Sequence, residues 1–223
     1  MHVGLIVGIG PAATDFYYRY LIAEMARRQV GLELTMAHAD TPILLRNQMA
    51  GDAAAQVAIY MRLTERLRAA GAGCVAVTSI SGHFCIDAFA AVSPLPVIDM
   101  LGTVDAAIGR LGYRKVGVLG TRLVMDTGFY GAVRGAEVMA PEGADRAAVH
   151  EAYIAMAGAG RANAAQREVM FRVGRGMVAA GAEAVMLGGT DLVLVFDGSD
   201  ECGFATVDCA AVHAGAIAAV AAG

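Results

Sequence analysis

Val75-Ala76-Val77-Thr78-Ser79-Ile80-Ser81-Gly82-His83 is the stretch whose reading decides the fold. A short apolar run stops abruptly at small and hydroxyl residues and a histidine. Buried parallel strands read this way where their C-terminal ends open into a ligand crevice. A second stretch has the same form. Ala180-Gly181-Ala182-Glu183-Ala184-Val185-Met186-Leu187-Gly188-Gly189-Thr190-Asp191 lies on residues 70–81 without a gap, at an offset of 110. Two strand ends of one kind predict one site facing two half-domains.

Working outward, strand and helix patterns alternate. Val3-Gly4-Leu5-Ile6-Val7 reads as the first strand and closes on Gly8-Ile9-Gly10-Pro11. Ala12 to Gln29 has helical spacing, with Phe16, Tyr20 and Ala23 on one face. Leu32 to Ala37 is a second strand, and Thr41 to Gly51 a loop or irregular helix carrying Arg46 and Asn47. Val57, Met61, Thr64 and Leu67 mark a long helix over 52–70. Another helix is expected from Gly82 to Val92, then a strand at Val97-Ile98-Asp99 behind two prolines. The pattern then restarts. Val116 to Thr121 repeats Val3 to Gly8 at an offset of 113, and Val207-Asp208 repeats Ile98-Asp99 at 109. Three matches at nearly one offset predict an internal duplication.

The expected fold is therefore α/β: two pseudo-symmetric half-domains, each with a mostly parallel sheet flanked by helices, and a ligand cleft between them. The first half runs over 1–99 and the second over 100–207, with a last helix at 210–222 expected to return to the first half.

Composition excludes several functions. Of the 223 residues 57% are apolar, but much of that is alanine, and no charge-free run reaches the roughly 18 residues of a spanning helix. A membrane protein is not expected. Met1 to Gly10 reads as a strand rather than a signal peptide. The net charge of -4, without a basic block, leaves nucleic-acid binding no electrostatic footprint. Cys74, Cys85, Cys202 and Cys209 form no C-x-x-C pair, and a disulfide scaffold is not expected. A cytoplasmic protein fits. No H-x-H or H-x-x-x-H run exists, and no metal is expected.

In order along the chain, these motifs resemble those of the aspartate/glutamate racemase superfamily. Gly8-Ile9-Gly10-Pro11-Ala12-Ala13-Thr14 resembles its G-G-M-G-P-x-A-T loop, and Thr78 to His83 its P-C-N-T-A-H. Lys115 to Thr121 followed by Thr127-Gly128-Phe129-Tyr130 resembles R-K-V-G-L-L-A-T and S-G-x-Y. Leu187-Gly188-Gly189-Thr190-Asp191 resembles L-G-C-T-E. The resemblance implies a cofactor-independent isomerase acting on a small carboxylate-bearing substrate, and a homodimer. It also implies two thiols that exchange the substrate α-proton from opposite faces. Here Ser79 stands at the first thiol position and Gly189 at the second. Arg46 falls on the family's carboxylate-binding arginine. The family's lysine in Y-x-x-I-K falls on Ala157, after Tyr153 and Met156, so a dicarboxylate would lose one cationic anchor.

The candidate residues follow from the resemblance and from the chemistry of each side chain. Ser79, His83 and Asp191 are the catalytic candidates, and His83 is the best single proton carrier by its ordinary pKa. Gly10, Thr14, Arg46, Ile80, Ser81, Thr121, Gly189 and Thr190 are the substrate-binding candidates. Each has a plainer reading. Ser79 and Ser81 can simply cap the following helix. His83 can be structural, and Thr121 and Thr127 can be turn formers. The glycine turn at 8–13 also fits a dinucleotide fingerprint, but Pro11 removes one donor, and carboxylate binding at a helix N-terminus is the more general reading.

Two classes of function remain. One is an isomerase-like enzyme that works without thiols, or a lyase or decarboxylase on the same fold. The other is a non-catalytic protein that binds a small acid.

Overall fold

A computed structural model describes residues 1–196 and 200–223. Two compact units are present. One comprises Met1–Met100 with His213–Gly223, the other Leu101–Val212.

In the first unit, β1 (Val3–Val7) is an apolar strand buried at every position. It lies between β2 (Leu34–His38) and β3 (Cys74–Val77), parallel to both. A strand buried on both faces has no polar side to alternate with, which is why β1 and β3 read as continuous apolar runs. α1 (Pro11–Arg27), α2 (Thr41–Met49), α3 (Ala53–Ala69) and α4 (Ile86–Val92) supply the connections and covering layers.

The second unit begins with most of α5 (Met100–Leu111). Its sheet has the order β5-β4-β6-β7, again all parallel. The strands are β4 (Lys115–Gly120), β5 (Glu137–Met139), β6 (Ala184–Gly188) and β7 (Thr206–Asp208). α6 (Arg122–Asp126), α7 (Gly143–Ala159) and α8 (Ala164–Ala179) flank it. α9 (Cys209–Ala222) ends the chain, and its last ten residues or so cluster with the first unit.

The pseudo-symmetry extends to strand register. Val3 faces Cys74 in one sheet, and Val116 faces Ala184 in the other. These are the residues that the offsets 113 and 110 pair. Val75 bridges Val97, as Val185 pairs with Thr206.

Four local readings change. The segment at 41–51 is a regular helix over Thr41–Met49, with proline in its first turn, where no N–H is needed. Behind Pro94 and Pro96, the expected strand 97–99 shrinks to a single bridge. The helix expected from Gly82 opens as a tight 3₁₀ turn over Ser81–Cys85 and becomes α-helical only at Ile86. In α1 the buried stripe is Ala13, Tyr17, Leu21 and Met25, not the Phe16 face. Aromatics at 16, 17, 18 and 20 put a ring on nearly every face, so periodicity alone could not choose.

Candidate active site

The first unit brings its expected residues to the C-terminal ends of β1 and β3. After β1 the chain turns through Gly8 and Gly10, at φ 94° and 102°. L-residues rarely adopt such angles. Thr14, one turn into α1, accepts from the Gly8 N–H at 3.1 Å and donates to the Gly10 carbonyl at 3.1 Å. The Thr41 hydroxyl donates to the Gly8 carbonyl at 2.5 Å. Both threonines therefore tie the turn down, and α1 presents its first N–H groups there. Those groups have no partner within a helix and favour an anion.

After β3, Ser79 and Ile80 are buried and Ser81 is half-buried. Ser79 accepts the Gly82 N–H at 3.3 Å, the capping role. Gln48 donates to the Ser81 carbonyl at 2.9 Å, and Tyr60 to the Gly82 carbonyl at 3.2 Å. Arg46 lies on α2, two residues before Gln48, and is exposed.

His83 is enclosed. Its Nδ1 lies 2.6 Å from the Ser79 carbonyl, and its Nε2 accepts the Met100 N–H at 3.3 Å. The tautomer that satisfies both contacts is neutral, with its proton on Nδ1. Burial holds its pKa below the ordinary value, against the Ser79 contact and Asp99, whose carboxylate lies 3.8 Å away. Both nitrogens are thus spent on backbone groups, one on the Ser79 carbonyl and one on the Met100 N–H. His213 of α9 packs edge-on to His83, with ring centroids 6.0 Å apart.

In the second unit, Thr121 follows β4 and caps α6, accepting the Val124 N–H at 3.4 Å. The next N–H, of Arg122, donates to Nδ1 of His150 at 3.1 Å. Beyond α6 the backbone holds four successive residues at positive φ, Gly128, Phe129, Tyr130 and Gly131. Two of them are not glycine, a strain that packing must hold in place. Phe129 is fully buried, and the Thr127 hydroxyl accepts the Tyr130 N–H at 2.9 Å.

Gly189 follows β6, and Thr190 and Asp191 open the 3₁₀ turn Thr190–Leu194. Thr190 and Asp191 are buried. Tyr153 of α7 donates to Asp191 Oδ2 at 3.2 Å. Gly189 has an extended φ of -159°, so its conformation does not require glycine. The space does. A β-carbon there would collide with Cε2 of Tyr153 and stand 2.8 Å from Cζ and 2.9 Å from Oη. At the far end of the turn, Arg167 donates to the carbonyls of Val195 and Leu194.

Sequence reasoning missed Tyr153 and His150 as site neighbours. They come from α7, and Tyr153 stands 38 residues from Asp191. The one available signal was the Tyr153 match to the family's Y-x-x-I-K.

The four cysteines are buried. Cys74 pairs with Val3 at the first positions of β3 and β1, the end opposite Ser79. At about 3.3 Å per residue, five residues of strand separate the two by roughly 16 Å. Burial raises the Cys74 and Cys209 thiols and pushes Cys85 up to about 11. Among the described residues no helix is long and apolar enough to cross a membrane, and no group of three or more His, Cys, Asp or Glu is placed to hold a metal.

The comparisons agree with this architecture. The Asp/Glu/Hydantoin racemase family profile matches residues 6–217. A provisional Asp/Glu racemase from Yersinia pestis is similar at 27% identity and a TM-score of 0.87, over 99% of each chain. An aspartate racemase homologue from Pyrococcus horikoshii has a TM-score of 0.82 at 23% identity, over 100% of this chain and 99% of that one. An allantoin racemase from Klebsiella pneumoniae has a TM-score of 0.63 at 15% identity, over 99% of this chain and 87% of that one. No curated protein sequence matches significantly. With the motif order, the doubled parallel sheet and this nearly end-to-end match in agreement, the chain belongs to the Asp/Glu/Hydantoin racemase family.

Proposed function

We propose that this protein is a cofactor-independent enzyme of the racemase superfamily, acting next to the carboxylate of a small amino acid or related acid without thiols. The observation that carries the reading is the pair Ser79 and Gly189. They stand where the motif resemblance places the family's thiols, while the four cysteines stand at other positions and are buried. A buried serine that caps its own turn is a poor base, and glycine has no side chain.

In the first unit, the Gly8–Thr14 turn, the Ile80 and Ser81 backbone and Arg46 hold the carboxylate. A guanidinium and helix N-terminal N–H groups suit that task. In the second unit, Thr121, Gly189 and Thr190 line the corresponding strand ends, and Asp191 takes the proton. The α C–H bond breaks and its electron pair stays on the substrate as an enediolate-like anion. The proton passes to Asp191 and returns to carbon from there. N–H donors aimed at the anion lower the barrier. His83, with both nitrogens engaged, positions Ser79 rather than carrying the proton. The same reading includes a cytoplasmic homodimer without metal, and half-domains divided at 99/100.

The arginine assignment has a direct test. Arg46→Ala should weaken binding of small carboxylic acids by about 10- to 100-fold, the range for losing a charged, bidentate partner. Calorimetric titration with a panel of amino, hydroxy and keto acids measures this. Unchanged affinity for an acid that binds the parent protein would remove Arg46 from the site.

A second reading, binding without catalysis, is favoured by the spent nitrogens of His83. It predicts that Asp191→Asn leaves both binding and every observable reaction unchanged. New products from the panel would instead indicate a lyase or decarboxylase.

A further inference from the structure

We infer that Tyr153 is a positioning residue that holds Asp191 as the proton-accepting group of the second unit, in the space that a side chain at position 189 would otherwise fill. The inference rests on the function proposed above and adds to it where the base went.

Three observations meet at one place. The Tyr153 ring lies against Gly189 so closely that no β-carbon fits between them. Its hydroxyl donates to Asp191 Oδ2 at 3.2 Å. Both residues are 5% exposed, so little water competes for that bond. Position 189 and the Tyr153 ring therefore exclude each other. A glycine at 189 admits the ring, and the ring carries a donor to a carboxylate two residues further along the same turn. With no side chain at residue 189, the carboxylate at residue 191 is the functional group of this strand end.

The donor persists at any ordinary pH. Burial, then the neighbouring Asp191 charge, raises the Tyr153 phenol well above its usual value, so it stays protonated. A phenol O–H favours the ionised form of the carboxyl it donates to. Among the described residues, Tyr130, whose charge bears on Tyr153, and Arg167 at the end of the turn also face this corner.

The test uses the full chain with carbon-13 in its aspartate carboxyls, and Asp191→Asn to assign the resonance. In Tyr153→Phe, which keeps the ring, Asp191 should titrate about one pH unit higher than in the parent, the size of one hydrogen bond to a charged group. The rate of α-proton exchange should fall about tenfold, with its acid limb displaced by the same unit. Gly189→Ala, which pushes the ring aside, should reproduce both changes. Adding Tyr153→Leu to Gly189→Ala should restore thermal stability without restoring the titration. An Asp191 titration identical in the parent and Tyr153→Phe proteins would overturn the positioning role. A displaced titration in a parent protein that exchanges no α-proton would overturn the proton-accepting role and the proposed function with it, while leaving the hydrogen bond in place.

Discussion

Gly120→Ala will cost about 3 kcal/mol or more of stability, a large share of the roughly 5–15 kcal/mol that holds a typical domain. Gly120 closes β4, and its partner in β6 is Gly188. A β-carbon on Gly120 would collide with the Gly188 carbonyl oxygen and stand 2.9 Å from its carbon. Those atoms are backbone in a paired strand, so they cannot rotate away as a side-chain tip can. The strands must separate at the point from which Thr121 and Gly189 both emerge. The variant should therefore lose ligand binding as well as stability. Two glycines calibrate the result. Gly117→Ala meets mainly the flexible end of Met177, with its sulfur at 2.9 Å, and should cost much less. Gly135→Ala meets nothing within 4 Å and should change nothing measurable. Urea unfolding of the three proteins gives the ranking. A Gly120→Ala protein as stable as Gly135→Ala would show that the strand ends are not pinched.

Acid will destabilise the first unit well above the pH at which carboxylates titrate. His213 is fully buried between two partners. Tyr17 donates to its Nδ1 at 2.9 Å, and its Nε2 donates to the Ile98 carbonyl at 2.9 Å. The neutral ring is thus fully satisfied. Burial, followed by nearby His83, lowers its pKa from 6.5 to about 3. The folded value lies below the unfolded one, so the unfolded chain binds the extra proton. The contribution is complete above about pH 6.5 and is lost as pH falls towards 3. At about 1.4 kcal/mol per unit, His213 alone removes on the order of 2 kcal/mol between pH 7.5 and pH 5. His83 shifts in the same direction for the same reason and adds to the loss. In the second unit Asp208 acts the other way, because burial raises its pKa and makes folding easier as it protonates. The variant His213→Gln isolates the effect: the difference in unfolding free energy between pH 7.5 and 5 should shrink by about the His213 share. An equal pH dependence in both proteins would mean that His213 titrates alike in the folded and unfolded chains, so that its burial costs it no proton.

The parts of the fold that were legible in the sequence are those fixed by local pattern. Val3–Val7 and Cys74–Val77 are continuous apolar runs because both faces of their sheet are covered, and each run ends where a turn begins. The duplication was visible because backbone register and sequence offset coincide, as at Val116 and Ala184. The strand-end residues Ser79 and Thr190 were legible for the same reason. What stayed hidden depends on chain segments that meet only in the fold. His83 looks like a free proton carrier until the Met100 N–H is seen on its second nitrogen. Gly189 looks like a simple loss until the Tyr153 ring is seen beside it. The buried stripe of α1 was misread because aromatics crowd adjacent positions, and only packing selects Tyr17, which reaches His213 from 196 residues away.

The most direct test of the thiol-free reading is α-proton exchange in heavy water. The parent protein, Asp191→Asn and four single cysteine-to-alanine proteins would be incubated with the panel of small acids and the α-proton signal followed by NMR. The account predicts exchange of at least one acid by the parent and by all four cysteine variants, and a loss of about 100-fold or more in Asp191→Asn, the scale of removing a general base. Exchange that survives in Asp191→Asn but disappears with any one cysteine would contradict it.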